Sequence, residues 1–119
     1  MEKSFDLKIT SKFGYEVITL SGRITKDAKD NLETCTQEII NSTSKTFILF
    51  FNDVSVVDNT VLRELTLLQQ EIRKKKVELF LVGLGSEIKQ QLIDKGIIRM
   101  SEVRKSLEEV VHRSRPSAA

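Results

Sequence analysis

Five consecutive apolar residues, Phe47-Ile48-Leu49-Phe50-Phe51, constrain the fold of this chain more than any other feature. A half-exposed strand or helix alternates apolar with polar positions. A short unbroken run of aromatic and β-branched side chains instead reads as a strand buried on both faces, and so central in a sheet. A second run, Val77 with Leu79-Phe80-Leu81-Val82, ends at Gly83. Between them Val61, Leu62, Leu65, Leu68 and Ile72 fall on one helical face. Strand, helix and strand joined by short links predict a parallel pair, because parallel neighbours need a crossover and the crossover helix covers a sheet face.

The flanking segments extend the same scheme. Phe5, Leu7 and Ile9 alternate with Asp6, Lys8 and Thr10, and a more apolar run from Tyr15 to Leu20 follows Phe13-Gly14, which predicts an antiparallel hairpin. After Gly22 the period changes: Ala28, Leu32, Cys35 and Ile39 predict a helix over 27–41, with Thr25 or Asp27 as its cap. Ser86 is placed to cap a helix carrying Ile88, Leu92 and Ile93, which Gly96 would end in a left-handed conformation. Ile97 and Ile98 suggest a short edge strand, and Val103, Leu107, Val110 and Val111 suggest a last helix over 102–112. The expectation is an α/β fold, one domain over 1–112 with a mixed central sheet of four to five strands and helices packed on it, followed by a flexible tail over 113–119. A length of 119 residues suits one such domain.

Charge and cysteine usage narrow the function. Lysine and arginine total 19 against 17 acidic residues, a near balance that supplies no strong field for nucleic acid or an anionic membrane. Cys35 is the single cysteine, which rules out an internal disulfide and a Cys/His framework for a structural metal and fits a reducing cytoplasm. The N-terminus has no apolar signal core and the longest apolar run is far below membrane-spanning length. No cofactor is expected. Asn41-Ser42-Thr43 matches a glycosylation acceptor, but it reads as a helix end.

The candidate chemistry lies where the central strand gives way to a helix, at Val56-Val57-Asp58-Asn59-Thr60-Val61-Leu62. Asp58, Asn59 or Thr60 can cap the helix by accepting from its free amides. A hydroxyl at Thr60 also lies in the first turn, where added phosphate oxygens would meet unpaired N–H groups and the positive end of the helix dipole. The other candidates are weaker. Gly83-Leu84-Gly85-Ser86 opens a helix but lacks the third glycine of a dinucleotide fingerprint and the Gly-Lys-Ser/Thr of a P-loop. The basic run Arg73-Lys74-Lys75-Lys76 suits a solvated helix end. His112 has no second imidazole or reactive thiol near it in sequence, and Cys35 falls on an apolar stripe where a thiol is inert. No general base, oxyanion donor set or metal cluster accompanies Asp53, Asp58 and Thr60, so binding is expected rather than catalysis.

Three segments, Val17-Ile18-Thr19-Leu20-Ser21-Gly22-Arg23-Ile24, Val54-Ser55-Val56-Val57-Asp58-Asn59-Thr60-Val61-Leu62 and Glu78-Leu79-Phe80-Leu81-Val82-Gly83, resemble in order and spacing the STAS family, the sulfate-transporter and anti-sigma-factor-antagonist domains. The resemblance runs over 5–112 and is strongest to bacterial anti-sigma factor antagonists. It implies that Asp58, Asn59 and Thr60 match the family's Asp-Ser-Ser/Thr, with Thr60 as phospho-acceptor. It also implies a partner-facing surface including Thr25, Asp58, Asn59, Thr60, Val61 and Arg63. The implied partner is an anti-sigma factor or serine/threonine switch kinase, bound by the unmodified protein and released on phosphorylation, with the protein itself a monomer or weak homodimer. Three positions depart from the family pattern: Val61 replaces a glycine, Thr25 an acidic residue and Phe50 a polar one. Val61 in particular favours an alternative within the same family, a non-phosphorylated scaffold or subunit of a membrane transport or lipid-trafficking complex.

Overall fold

A computed structural model describes residues 5–12 and 14–106. Strands β1 (Asp6–Lys12) and β2 (Tyr15–Ile24) form the expected hairpin, antiparallel in a register that sets Ile9 opposite Ile18. A 3-10 turn, Lys26–Ala28, leads into helix α1 (Lys29–Asn41). Strand β3 (Thr46–Val57) is followed by a second 3-10 turn, Asn59–Val61, and helix α2 (Leu62–Lys74). Strand β4 (Glu78–Val82), helix α3 (Ser86–Asp94), a third 3-10 turn, Met100–Glu102, and the two-residue strand β5 (Val103–Arg104) complete the described chain. The strands lie side by side in the order β1-β2-β3-β4-β5, with β2 to β5 parallel.

The described residues form an α/β fold with a mixed five-stranded sheet and three helices packed on it. Because side chains alternate across a strand, β3 feeds two separate apolar clusters. Phe47, Leu49 and Phe51 join Ile18, Leu20, Leu79 and Leu81 beneath Leu32, Cys35 and Ile39 of α1, Leu65, Leu68 and Ile72 of α2, and Ile88 and Leu92 of α3. On the opposite face Ile48 packs with Phe80 and Val82, joined by Tyr15, Val17 and Phe50. The central position expected for 47–51 is therefore the observed one. Each fully buried aliphatic or aromatic side chain contributes about 1.5–3 kcal/mol.

The sequence expectation fails in the last third of the described chain. Ile97 and Ile98 are buried but form a bend rather than an edge strand; the edge strand is Val103–Arg104, paired with Leu81 and Val82. Gly96, at φ +71, ends α3 as expected, and the chain then needs a loop to come back beside β4, so the two isoleucines enter the core from irregular backbone. The helix expected over 102–112 does not begin there: Glu102 closes a 3-10 turn and the next two residues are strand, while 107–112 and the tail 113–119 lie outside the described residues. The N-cap of α3 is Gly85, not Ser86.

The run Arg73-Lys74-Lys75-Lys76 is more tied down than a solvated end. The Arg73 guanidinium donates through Nε and Nη2 to both carboxylate oxygens of Glu102, at 3.0 and 2.7 Å, and through Nη2 to the Ile97 carbonyl at 3.2 Å. Lys75 Nζ donates to the carbonyls of Ile40 and Ser42, the open end of α1. At the same end of the molecule, buried Glu16 accepts from the hydroxyls of Ser11, Ser42 and Ser44 through one carboxylate oxygen, fastening the hairpin to the loop after α1.

Candidate functional site

β3 outlasts β4. Its pairing with β4 stops at Phe50, whereas its pairing with β2 continues through two register shifts to Val57, which stands opposite Ile24. Residues 51–57 therefore carry the chain beyond the end of β4 and deliver Asp58, Asn59 and Thr60 to a raised corner where α2 begins. The added length is legible afterwards in Val54, Val56 and Val57, which are β-branched, but polar Asn52 and Asp53 interrupt the run and hid it.

At the corner Asp58 takes the capping role. Its Oδ1 accepts from the Thr60 amide at 3.0 Å, its own amide donates to the Ile24 carbonyl at 2.8 Å, and its carbonyl accepts from the Val61 amide at 3.1 Å. Of the three capping candidates it is Asp58 that caps, since an extended backbone at φ −80, ψ 145 points its carboxylate back at the turn. Asn59 and Thr60 are exposed, Asp58 is half-buried, and Arg63 is exposed on the first turn of α2. Val61 is fully buried and belongs to the core cluster, so its side chain points inward and anchors the turn. Thr25 is half-buried and starts the 3-10 turn that touches the corner turn, its carbonyl accepting from Ala28. Thr25, Asp58, Asn59, Thr60 and Arg63 thus gather at one end of the sheet, whereas Phe50 lies with the cluster on the opposite face.

One residue of the corner carries no signal in the sequence. Gln91, on α3, donates from Nε2 to the Val57 carbonyl at 2.9 Å and to Asn59 Oδ1 at 3.4 Å. Beyond the end of β4, α3 thus supplies a donor to the last carbonyl of β3, and its glutamine reaches from a segment that sequence spacing cannot connect to the corner. Gly83 sits at φ +79, a left-handed conformation that L side chains rarely adopt, and a Cβ there would meet the exposed side chain of Asn52. The turn after β4 needs that backbone conformation, which glycine adopts without steric cost.

Cys35 is buried and its thiol is pushed up from 9.0 to about 12, first by burial and then by the charges of Glu38 and Glu16. It is held as the thiol and is a poor nucleophile. His112 lies outside the described residues. No helix among the described residues is long and apolar enough to cross a membrane.

The STAS domain family model matches residues 5–110. Among solved structures the chain is similar to the Bacillus cell-fate determinant SpoIIAA in its phosphorylated form, at 18% identity and TM-score 0.72 over 94% of this chain and 100% of the other. It is similar to an anti-sigma factor antagonist from Mycobacterium paratuberculosis, at 15% identity and TM-score 0.79 over 95% and 96%. A sulfate transporter family protein from Wolinella succinogenes also matches, at 23% identity and TM-score 0.74 over 87% of each chain. No curated protein matches the sequence.

Proposed function

The chain belongs to the STAS domain family, and from that premise we propose that it is an anti-sigma factor antagonist-like regulator that binds an anti-sigma factor or serine/threonine switch kinase at the Asp58–Thr60 corner. Phosphorylation of Thr60 controls release. The observation that carries this reading is the split within one turn: Thr60 is exposed, while its amide is held by Asp58 and the next residue, Val61, is buried in the core. A hydroxyl on such a support is open to a kinase and backed by a rigid helix start. Phosphate would add a charge of about −1.5 to −2 beside the Asp58 carboxylate and compete for the Thr60 amide that Asp58 now caps. Both effects reshape the surface that a partner covers. Thr25 and Arg63, at the same end, complete that surface.

The likeness to SpoIIAA, solved in both phosphorylated and unphosphorylated forms, supports the same reading. The test is to incubate the protein with ATP and the serine kinases of its source, map phosphate by mass spectrometry, and compare partner binding by wild type and Thr60→Glu. Phosphate at Thr60 and loss of binding in the variant are expected. No phosphate there with any kinase, together with unchanged binding by Thr60→Glu, removes the switch. A constitutive STAS subunit of a transport complex then stands, a second reading favoured by the Wolinella neighbour.

A further inference from the structure

Strand β1 is an outer edge of the sheet, and among the described residues nothing pairs with its free side. It is seven residues long, has no proline, and stays in register with β2 throughout, whereas β2 slips twice against β3. The hairpin fixes which backbone groups point outward. The Gly14 carbonyl accepts from the amides of Lys45 and Thr46, on the β3 side, so the odd-numbered residues of β2 turn toward β1. Their partners are Asp6, Lys8, Thr10 and Lys12, which leaves the N–H and C=O groups of Leu7, Ile9 and Ser11 directed away from the sheet. Such an edge is a template for another strand, and natural sheets commonly blunt it with a bulge, a proline or a short strand. β1 has none of these. On the helix side an open cavity of about 320 Å³ separates Leu7 and Ile9 from Thr34, Cys35 and Glu38 of α1. Leu7 and Ile9 are only half-buried there, at the rim of the core.

The charges that β1 carries suit one occupant, a second copy of this chain. We propose that two chains pair antiparallel through β1 about a two-fold axis at Ile9, so that the sheet runs on from one chain into the other. Outward groups bond only to outward groups, which requires the axis to pass through a residue rather than between two. At Ile9 it uses the whole strand and sets Leu7 against Ser11, Lys8 against Thr10 and Asp6 against Lys12 of the second copy. One residue earlier it would set Lys8 against Lys8; one residue later, Lys8 against Lys12. Like charges directly opposite one another are unfavourable and opposite charges favourable, so the charge pattern selects the axis at Ile9. Paired residues share a face of the sheet, which brings Leu7 and Ile9 of both copies together on the helix side and covers apolar surface that is half-exposed in the single chain. β2 stands between β1 and β3, so this interface lies apart from the Asp58–Thr60 corner and goes beyond the regulatory reading; neither requires the other.

The test is sedimentation equilibrium of the full chain from about 10 μM to about 1 mM, where a monomer–dimer equilibrium is expected. Asp6→Lys and Lys12→Glu each set like charges against one another at both ends of the pairing, and each should weaken the dimer about tenfold. Asp6 is exposed, so its replacement disturbs no packing, and circular dichroism verifies that both variants fold. Mixed in equal amounts, the two variants restore opposite charges at both ends, and their heterodimer should form as readily as the wild-type dimer. Amide hydrogen exchange supplies a second readout: protection of Leu7, Ile9 and Ser11 should rise with protein concentration, while Lys8 and Thr10, bonded to β2, are protected at every concentration. A monomer at about 1 mM would overturn the proposal. So would a dimer that neither variant weakens, weakened variants that do not recover on mixing, or protection of Leu7, Ile9 and Ser11 that is independent of concentration. Each of these outcomes leaves phosphorylation at Thr60 untouched.

Discussion

At Thr60 one backbone hydrogen bond decides how the corner is presented. The Asp58 carboxylate that receives it also bears the charge that a phosphate on Thr60 would oppose, so the group that caps the turn is the one the proposed modification would disturb. Asp58→Ala should cost about 1 kcal/mol in urea unfolding, the usual value of a lost cap. Cys35 gives a prediction of the opposite kind. Below about pH 9 the thiol is protonated in both states and does not affect stability. Above 9.0 the unfolded chain releases the proton while the folded chain holds it until about 12, so the unfolded state is favoured as pH rises. Unfolding measured from pH 8 to 11 should show wild type losing about 1.4 kcal/mol per unit above pH 9 relative to Cys35→Ala. Equal slopes for the two proteins would contradict the burial described here. Asp58 and Thr60 were legible because turn residues after an apolar run are a local signal; Gln91 was not, because its bond to Val57 joins residues far apart in the chain and a glutamine on a helix looks like any solvated one.

Between elements, the ion pair of Arg73 with Glu102 is the main polar tie holding the end of α2 to the turn before β5. Its side chains are 22% and 11% exposed, so it is partly buried and removal of one partner leaves a charge without its counterpart. Arg73→Met should destabilise by roughly 2–3 kcal/mol, discounted for the exposed fraction, and Arg73→Met with Glu102→Leu should recover most of that loss. A double-mutant cycle in denaturant measures the recovery; a double variant no better than the single one would contradict the assignment. At this scale local period served well for α1 and α2, whose stripes of Leu32, Cys35 and Ile39 and of Leu65, Leu68 and Ile72 are the buried faces. It failed at Ile97 and Ile98. Two adjacent apolar residues satisfy a strand, a helix turn or a buried loop equally, and only the need to come back beside β4 selects the loop. The reverse held for Val103–Arg104: two residues are too few to show a period, and their strand character comes entirely from pairing with Leu81 and Val82.

For the molecule as a whole, the larger core cluster takes side chains from β2, β3, β4 and all three helices, with β1 packed against its rim. Shared burial of that kind makes unfolding a single event. Tyr15 is the only tyrosine and there is no tryptophan, so its fluorescence reports the hairpin and the smaller cluster, while far-UV circular dichroism reports the helices. The two urea transitions should coincide; separated midpoints would divide the hairpin from the helical layer. Nearest-neighbour strand order is the feature that reaches furthest. Each new strand is laid beside the last and the winding never turns back on itself. In sheets that do turn back, neighbouring connections part to opposite sides and leave a crevice at the carboxyl ends of the strands, where small molecules are enclosed. A sheet wound in one direction has no such point of reversal; among the described residues its carboxyl end instead reaches furthest where β3 outruns β4, and an edge that projects is a shape that other surfaces close over.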